Sequence, residues 1–468
     1  MNESQSGRGQ PHSKASRKEW RAIRRDRVLE CISTHINPWL ISFFVVACAV
    51  LKAPAGDFIA GADFSHCKFF EDRGIVYKQG GQALDGLAIL KTNGVNCVRL
   101  RLFTSTAAQA QADPYDYINN LDYTIPLAVR VKNAGLKFLL DFHYSDSWAD
   151  PQKQNKPAAW TNLTFVELQQ QMRDYNSNTI AAFKAAGAMP DYVQIGNEIT
   201  GGILWPDGHV SGSSNNAWSN LGKLMKAAIQ GVNDAAGTNP PKIMVHIDRG
   251  GDWASTQWFF DNLLNEQVPF DLIGESYYPW WHGNLTALSN CVNNAAQRYH
   301  KPVIVAETAY PWTNSVPASY NPNLGIAMTP SGQVDFTIAL ASIVKGVSGG
   351  LGAGIFWWGT EYVHLGGYNL ASFDKTSFFD FGGNALPVTA TFGQLAAPIK
   401  LQAALSNNAV SLQWPVSGAG LKLTQKTNLT PGAAWSTVTN PVQSTGTSFN
   451  TTLPLGTSPA SFYRLQGN

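Results

Sequence analysis

The sequence predicts a (β/α)8 TIM barrel followed by a small all-β sandwich, and three observations carry that expectation. Eight short apolar runs, each of a length that suits a buried parallel strand, recur between residues 58 and 358. Longer stretches with apolar residues at threes and fours, the spacing of one helix face, separate most of them. Beyond residue 397 the composition turns to Ser, Thr, Asn and Gly with short alternating runs. An open doubly wound sheet is the rival; it is disfavoured because no Gly-x-Gly-x-x-Gly turn follows the first strand run.

Residues 1–55 stand apart from the rest. They hold nine Lys/Arg and four acids, and the uncharged run from Pro38 to Leu51 precedes Lys52-Ala-Pro-Ala55. A basic stretch, a short apolar core and small residues at 53 and 55 are the parts of a secretory leader. The apolar run falls short of the roughly 20 residues of a spanning helix, so a membrane anchor is the lesser reading. Cleavage after Ala55 takes the formal charge from +2 to −3 and leaves Cys67, Cys97 and Cys291, too few for a disulfide framework. The expected location is extracellular, periplasmic or at the cell surface. The balanced charge also argues against a nucleic-acid partner.

Residues 56–396 form the expected barrel. Its strand runs are 58–65, 96–103, 136–144, 191–198, 242–248, 271–278, 301–310 and 352–358; helix-like stretches include 82–93, 164–186, 215–234 and 333–347. Active sites of this fold are built where the strands end. Those ends carry Asp63 and His66, Arg99 and Arg101, Asp141, His143 and Asp146, Asn197-Glu198, His246, Asp248 and Arg249, Glu275, Tyr277 and Tyr278, Glu307, and Trp357-Trp358. Glu198 ends the fourth run and Glu307 the seventh. Cleavage of a glycosidic bond needs two such carboxyls, one to protonate the leaving oxygen and one to attack the anomeric carbon or activate water. A structural ion pair with an arginine such as Arg99 is the alternative for either glutamate taken alone.

Longer stretches resemble glycoside hydrolase family 53, the endo-β-1,4-galactanases of the retaining clan A barrels. They are Gly61-Ala-Asp-Phe-Ser65, Val98-Arg-Leu-Arg-Leu102, Asp141-Phe-His-Tyr-Ser-Asp-Ser-Trp-Ala-Asp-Pro151 with Lys153-Gln154, Gln194-Ile-Gly-Asn-Glu198, Tyr277-Tyr-Pro-Trp-Trp281 and Glu307-Thr-Ala-Tyr-Pro-Trp312. The resemblance implies Glu198 as acid/base and Glu307 as nucleophile, with Asn197 on the sugar's 2-hydroxyl. Arg99 and Tyr277 or Tyr278 would orient Glu307 and keep it ionised. Asp63, His143, Trp148, His246, Trp312 and Trp358 complete the expected substrate-binding and supporting set. The polymer cut would be β-1,4-galactan from (arabino)galactan side chains of pectin; mannan, cellulose or xylan are the alternatives within the clan, and non-catalytic glycan binding is a third reading.

Fifteen tryptophans fit platforms for sugar rings, and eleven of them fall in the barrel. The eighth loop departs from the family: Phe356-Trp-Trp-Gly-Thr-Glu361 stands where Phe-Tyr-Trp-Glu-Pro is usual, and the path to Phe373-Asp374 is short. A calcium-binding loop, known in some members, is therefore not expected. No cofactor is expected either; His143 and His246 read as sugar-bonding or rim-supporting groups rather than metal ligands. Residues 397–468 are expected to form the accessory β-sandwich, with Trp414 and Trp435 read as structural ahead of a carbohydrate-binding face.

Overall fold

The alternation of side chains along a strand decides what fills a closed sheet, and here it does so twice over. Alternate residues Ile59, Cys97, Leu139, Met244, Leu272, Ile304 and Phe356 form one buried apolar cluster, the plug of the barrel interior. Two residues further along their strands the same face carries Arg99, Asp141, His246 and Ile59's successor Gly61. Gly61 is required there: a Cβ would stand 2.2 Å from the Phe356 ring. The interior is therefore apolar at the bottom and polar at the top.

The computed structural model describes residues 58–467 except 211–216, 407, 429, 431 and 456–460, together with the backbone of two short strands, Val28–Ile32 and Ala47–Ala49. The barrel strands are β1 (Ile59–Asp63), β2 (Cys97–Leu102), β3 (Lys137–Phe142), β4 (Tyr192–Ile195), β5 (Lys242–Ile247), β6 (Leu272–Ser276), β7 (Val303–Thr308) and β8 (Gly352–Trp357). All pair in parallel and close in chain order. Each is followed by a helix: α1 (Gly86–Asn93), α2 (Leu121–Asn133), α3 (Phe165–Ala185), α4 (Ala217–Ala236), α5 (Trp253–Asn265), α6 (Leu285–Tyr299), α7 (Pro330–Lys345) and α8 (Pro387–Gln394). The eight runs expected from the sequence are these eight strands.

Local chemistry sets the helix starts. Thr164 and Glu167 form a reciprocal capping box on α3. The stretch expected as helix 82–93 begins at Gly86 instead, because the Asp85 side chain accepts from Ala88 N and caps it there, while Gln82–Ala83 pair with Lys78–Gln79. The outward-facing strand residues, among them Val98, Leu100, Phe138, Leu140 and Val245, pack with Leu168, Met172, Ile180 and Phe183 of α3 and their counterparts in the larger core. Cys67, Cys97 and Cys291 are buried free thiols.

After α8 come β9 (Gln402–Ser406), β10 (Ala409–Pro415), β11 (Lys422–Lys426), β12 (Ser436–Thr437), β13 (Gln443–Ser444), β14 (Ser448–Pro454) and β15 (Phe462–Gln466). They make two antiparallel sheets, β9-β10-β14-β13 and β12-β11-β15; the strand Val28–Ile32 pairs with the free edge of β15. Leu412, Trp414 and Leu453 of one sheet meet Leu423 and Leu465 of the other. Trp414 is thus a core residue, and Trp435 lies under Arg464 and Lys426, 4.1 and 4.7 Å from its ring. Val416 and Ala419, just after β10, belong to the barrel's own apolar cluster, which fastens this unit to the barrel. The leader expected at 1–55 lies outside the described residues apart from the two short strands. No helix among the described residues is long and apolar enough to cross a membrane.

Candidate active site

Arg99, two residues above the apolar plug on β2, organises the polar end of the barrel. Its guanidinium pairs with Asp63 at 3.0 Å, Asp141 at 2.8 Å and Glu307 at 2.9 Å, and donates to Gln194 Oε1 and Asn197 Oδ1. All of these side chains are nearly or fully buried. Such a cluster is tolerable only because the pairs and hydrogen bonds are all made; removing the cation would leave three buried carboxylates without their shared counter-charge.

Glu307 ends β7 with both oxygens engaged: Oε1 faces Arg99, and Oε2 accepts the Tyr278 hydroxyl at 2.8 Å. Glu198 lies just beyond β4, in a turn that Gly196 (φ 82°) begins and Glu198 itself (φ 49°) continues in the left-handed region. The buried Gln154 amide holds that turn by donating to Asn197 O at 2.8 Å. A carboxyl oxygen of Glu198, a ring nitrogen of His246 and a carboxyl oxygen of Glu307 all lie within 4.8 Å of one another.

The two carboxyls differ electrostatically. Burial pushes both up from the usual carboxylate range. At Glu307 this is opposed by Arg99 and by the Tyr278 hydrogen bond, whereas at Glu198 it is reinforced by the charges of Glu307 and Asp248. Glu198 therefore takes the first proton of the pair.

The remaining expected residues sort themselves by placement. Asp63 pairs with Arg99 and accepts from Ser65. Asn197 donates to Ala149 O at 2.9 Å. His143 accepts from Ala149 N on Nδ1 and bonds Asp141 through Nε2, so both nitrogens serve the protein, holding the third loop. His246 is likewise fully buried, between Gln194, Asn197 and Ser276. Trp358 and Trp148 are half-buried, 6.2 Å apart, with Arg101 over the Trp148 ring at 4.2 Å; they form an aromatic wall on the β2–β3–β8 side. Of the two tyrosines only Tyr278 reaches Glu307; the Tyr277 hydroxyl donates to Gly283 O, outside the carboxylate cluster. Trp312 packs on Phe381 and bonds Asp374 O in the eighth loop. Trp357 is core, its N–H on Thr376 O.

Asp141, Gln194 and Ser276 belong to this cluster; the sequence marks Asp141 only as a polar strand end, without a role, and does not mark Gln194 or Ser276 as site residues. Their signal is the period of two: each lies on the inward face of its strand, two or four residues beyond an inward-facing residue of the plug or its layer, and Asp141 pairs in register with Gln194 and Ser276 with Glu307. Trp281, 54% exposed and edge-on to Tyr278, with Trp280 and Tyr320 beside it, forms a second aromatic wall across the rim. The eighth loop turns at Gly359 (φ 64°) and sends Glu361 inward, where Oε1 accepts His66 N at 2.6 Å and burial next to Asp63 lifts its pKa to about 8.

As a metal centre the Glu198, His246 and Glu307 trio is poorly suited. The Arg99 cation already occupies Glu307, and both nitrogens of His246 have protein partners.

Comparison with known proteins agrees with this geometry. Residues 59–392 match the family model for Glycosyl hydrolase family 53. An arabinogalactan endo-beta-1,4-galactanase of Thermothelomyces thermophilus is 35% identical over 344 residues, covering 72% of this chain and 98% of that protein. The solved GH53 catalytic domain of Ignisphaera aggregans superposes with a TM-score of 0.66 at 36% identity, covering 73% and 97% of the two chains. A solved fungal beta-1,4-galactanase gives a TM-score of 0.63 at 33% identity, covering 71% and 98%. With strand order, the paired glutamates and the match along the whole barrel in accord, the chain belongs to glycosyl hydrolase family 53.

Proposed function

We propose that the protein is a secreted retaining endo-β-1,4-galactanase acting on galactan side chains of pectin, with Glu198 as acid/base and Glu307 as nucleophile. The observation that carries this is the pair itself: two carboxyls with oxygens within 4.8 Å, at the ends of β4 and β7, in unequal environments. Retaining enzymes hold their carboxyls about 5–5.5 Å apart, whereas inverting ones need roughly 6.5–9.5 Å to admit a water. Galactan as the polymer is supported by the names of the family relatives, and the leader by the pattern of residues 38–55.

The steps follow from the contacts. Arg99 and Tyr278 keep Glu307 ionised and aimed, and its oxygen attacks the anomeric carbon. Glu198, protonated beforehand, gives its proton to the departing glycosidic oxygen. The Asn197 amide has one N–H on Ala149 O and a second left for the 2-hydroxyl of the sugar. Once Glu307 is glycosylated its charge is gone, the Glu198 pKa falls, and the carboxylate accepts a proton from the water that hydrolyses the intermediate. No step calls on a metal. The aromatic walls on either side of the rim suit the apolar faces of successive sugar rings in an open cleft, which is the requirement for internal cutting.

The test is sugar release from purified galactan, mannan, cellulose and xylan, with the anomer of the first product followed by proton NMR. Short β-galacto-oligosaccharides from galactan alone are expected. Preference for another polymer would overturn the substrate, and an initial α product would overturn the mechanism.

A further inference from the structure

Glu198 has a partner that neither the catalytic motif nor its position in the chain reveals. Ser276, the last residue of β6, donates its hydroxyl to Glu198 Oε1 at 2.7 Å. His246 of β5 places Nε2 2.8 Å behind the same hydroxyl oxygen, and Gln194 Nε2 and Asn197 Oδ1 stand 3.1 Å from its Nδ1. Ser276 and His246 are both fully buried. The pairing of β6 with β7 shifts register between Glu275 and Ser276, which brings Ser276 level with Glu307. Irregularities of this kind re-aim a side chain at a strand end.

A hydroxyl has one proton to give. If Ser276 gives it to Glu198 it must accept from His246, so the imidazole carries its proton on Nε2 and takes the Gln194 N–H on Nδ1. A single ring proton is what a neutral imidazole offers, and burial beside Arg99 keeps His246 neutral. The groups facing Glu198 are Glu307 on β7, Asp248 after β5, Arg99 on β2 and Tyr278 after β6. The two carboxylates disfavour its ionised form; Arg99 and the Ser276 hydroxyl favour it.

We propose that Ser276, backed by neutral His246, is a positioning residue for the acid/base: it occupies Oε1 of Glu198, leaves Oε2 for the glycosidic oxygen, and supports the carboxylate form in the deglycosylation half-reaction. This rests on the acid/base assignment of Glu198. In the first half-reaction the proton on Oε2 passes to the leaving oxygen and leaves a carboxylate that Ser276 already solvates. In the second, water loses a proton to Oε2 and its oxygen bonds the anomeric carbon, releasing Glu307.

The experiment compares wild type, S276A, S276T and S276C, the last close in shape but a poor donor. Loss of a hydrogen bond to a charged group should move the basic limb of the galactan pH profile upward by about one unit. With an aryl β-galactobioside whose leaving group needs no acid, kcat should fall about tenfold and KM with it, because the glycosyl-enzyme accumulates. S276T should restore both and S276C neither. An unmoved basic limb, or equal losses of kcat/KM on both substrates, would overturn the proposal in favour of simple packing. Infrared titration of the Glu198 carboxyl in the E307Q background, with and without S276A and referenced to E198Q, reads the same shift without turnover; identical titrations would overturn it. If wild type fails on galactan, the substrate reading falls while the infrared comparison still judges Ser276.

Discussion

The ends of β4 and β7 carry the same residue in opposite settings. Glu307 lies near the end of β7, at a shift in its pairing with β6, and is held by a guanidinium on one oxygen and a phenol on the other. Glu198 sits past its strand in a left-handed turn, half-buried, with no ion pair of its own: a serine hydroxyl bonds it, and the charges of Glu307 and Asp248 outweigh that of Arg99. The rigid, charge-compensated site suits a group that must stay ionised and hold one trajectory. The other suits a group that must lose and regain a proton. On the proposed assignment, unequal surroundings rather than residue type divide the labour between the two glutamates.

Breaking the β7 side should cost most. E307Q keeps the shape of the side chain but cannot attack, so galactan turnover should fall at least ~10³-fold, in line with removal of a group that acts in the reacting unit; reducing-sugar release measures it. E198Q should cost about 10²–10⁴-fold on galactan, the range for general acid–base catalysis. On an aryl galactoside that needs no protonation, its first half-reaction should persist, and added azide should restore turnover with a β-galactosyl azide product. A similar loss on both substrates, without azide rescue, would erase the distinction between the two sites.

Most of the fold was legible because a parallel strand covered on both faces leaves an uninterrupted apolar run, as in Phe138 to Leu140 or Val303 to Ala306. The glutamates were legible because each ends such a run. Position within the rim was harder. Tyr277 and Tyr278 are adjacent, and only the way the chain leaves β6 sends the second to Glu307 and the first to Gly283. Ser276 reads as an ordinary strand residue, since its significance depends on a register shift between strands distant in sequence. Trp312 and Trp357 lie near strand ends in sequence, yet the folding of the eighth loop, through Phe381, Asp374 and Thr376, decides what they touch. Loop packing of that kind has no periodicity to read.

A smaller effect sharpens the electrostatic half of the comparison. The Tyr278 hydroxyl stabilises ionised Glu307, so Y278F should raise that carboxyl's pKa. The acid limb of the galactan pH profile should then move to higher pH, by about one unit, with roughly tenfold lower activity below it. S276A, by contrast, should move only the basic limb. If both variants moved the same limb, the pair would have to be treated as one coupled unit with no division of roles.

The smallest expected effect concerns Glu361, where the eighth loop meets the same buried polar layer. Burial and the neighbouring Asp63 raise its pKa to about 8, against an ordinary 4.5, so the folded protein holds this proton more tightly than the unfolded chain does. A group with a raised folded-state pKa contributes stability that is complete below the unfolded value and is lost as pH rises through the folded one. Between about pH 4.5 and 8 the wild type should therefore lose stability on this account, and E361Q, which cannot ionise, should not. The Tm of E361Q relative to wild type should climb from pH 5 to pH 8 by at least ~2 °C, the shift that about 1 kcal/mol produces in a large domain. A Tm difference independent of pH would mean that Glu361 is ionised throughout and that Arg101, whose charge opposes the effect of burial, governs the loop instead.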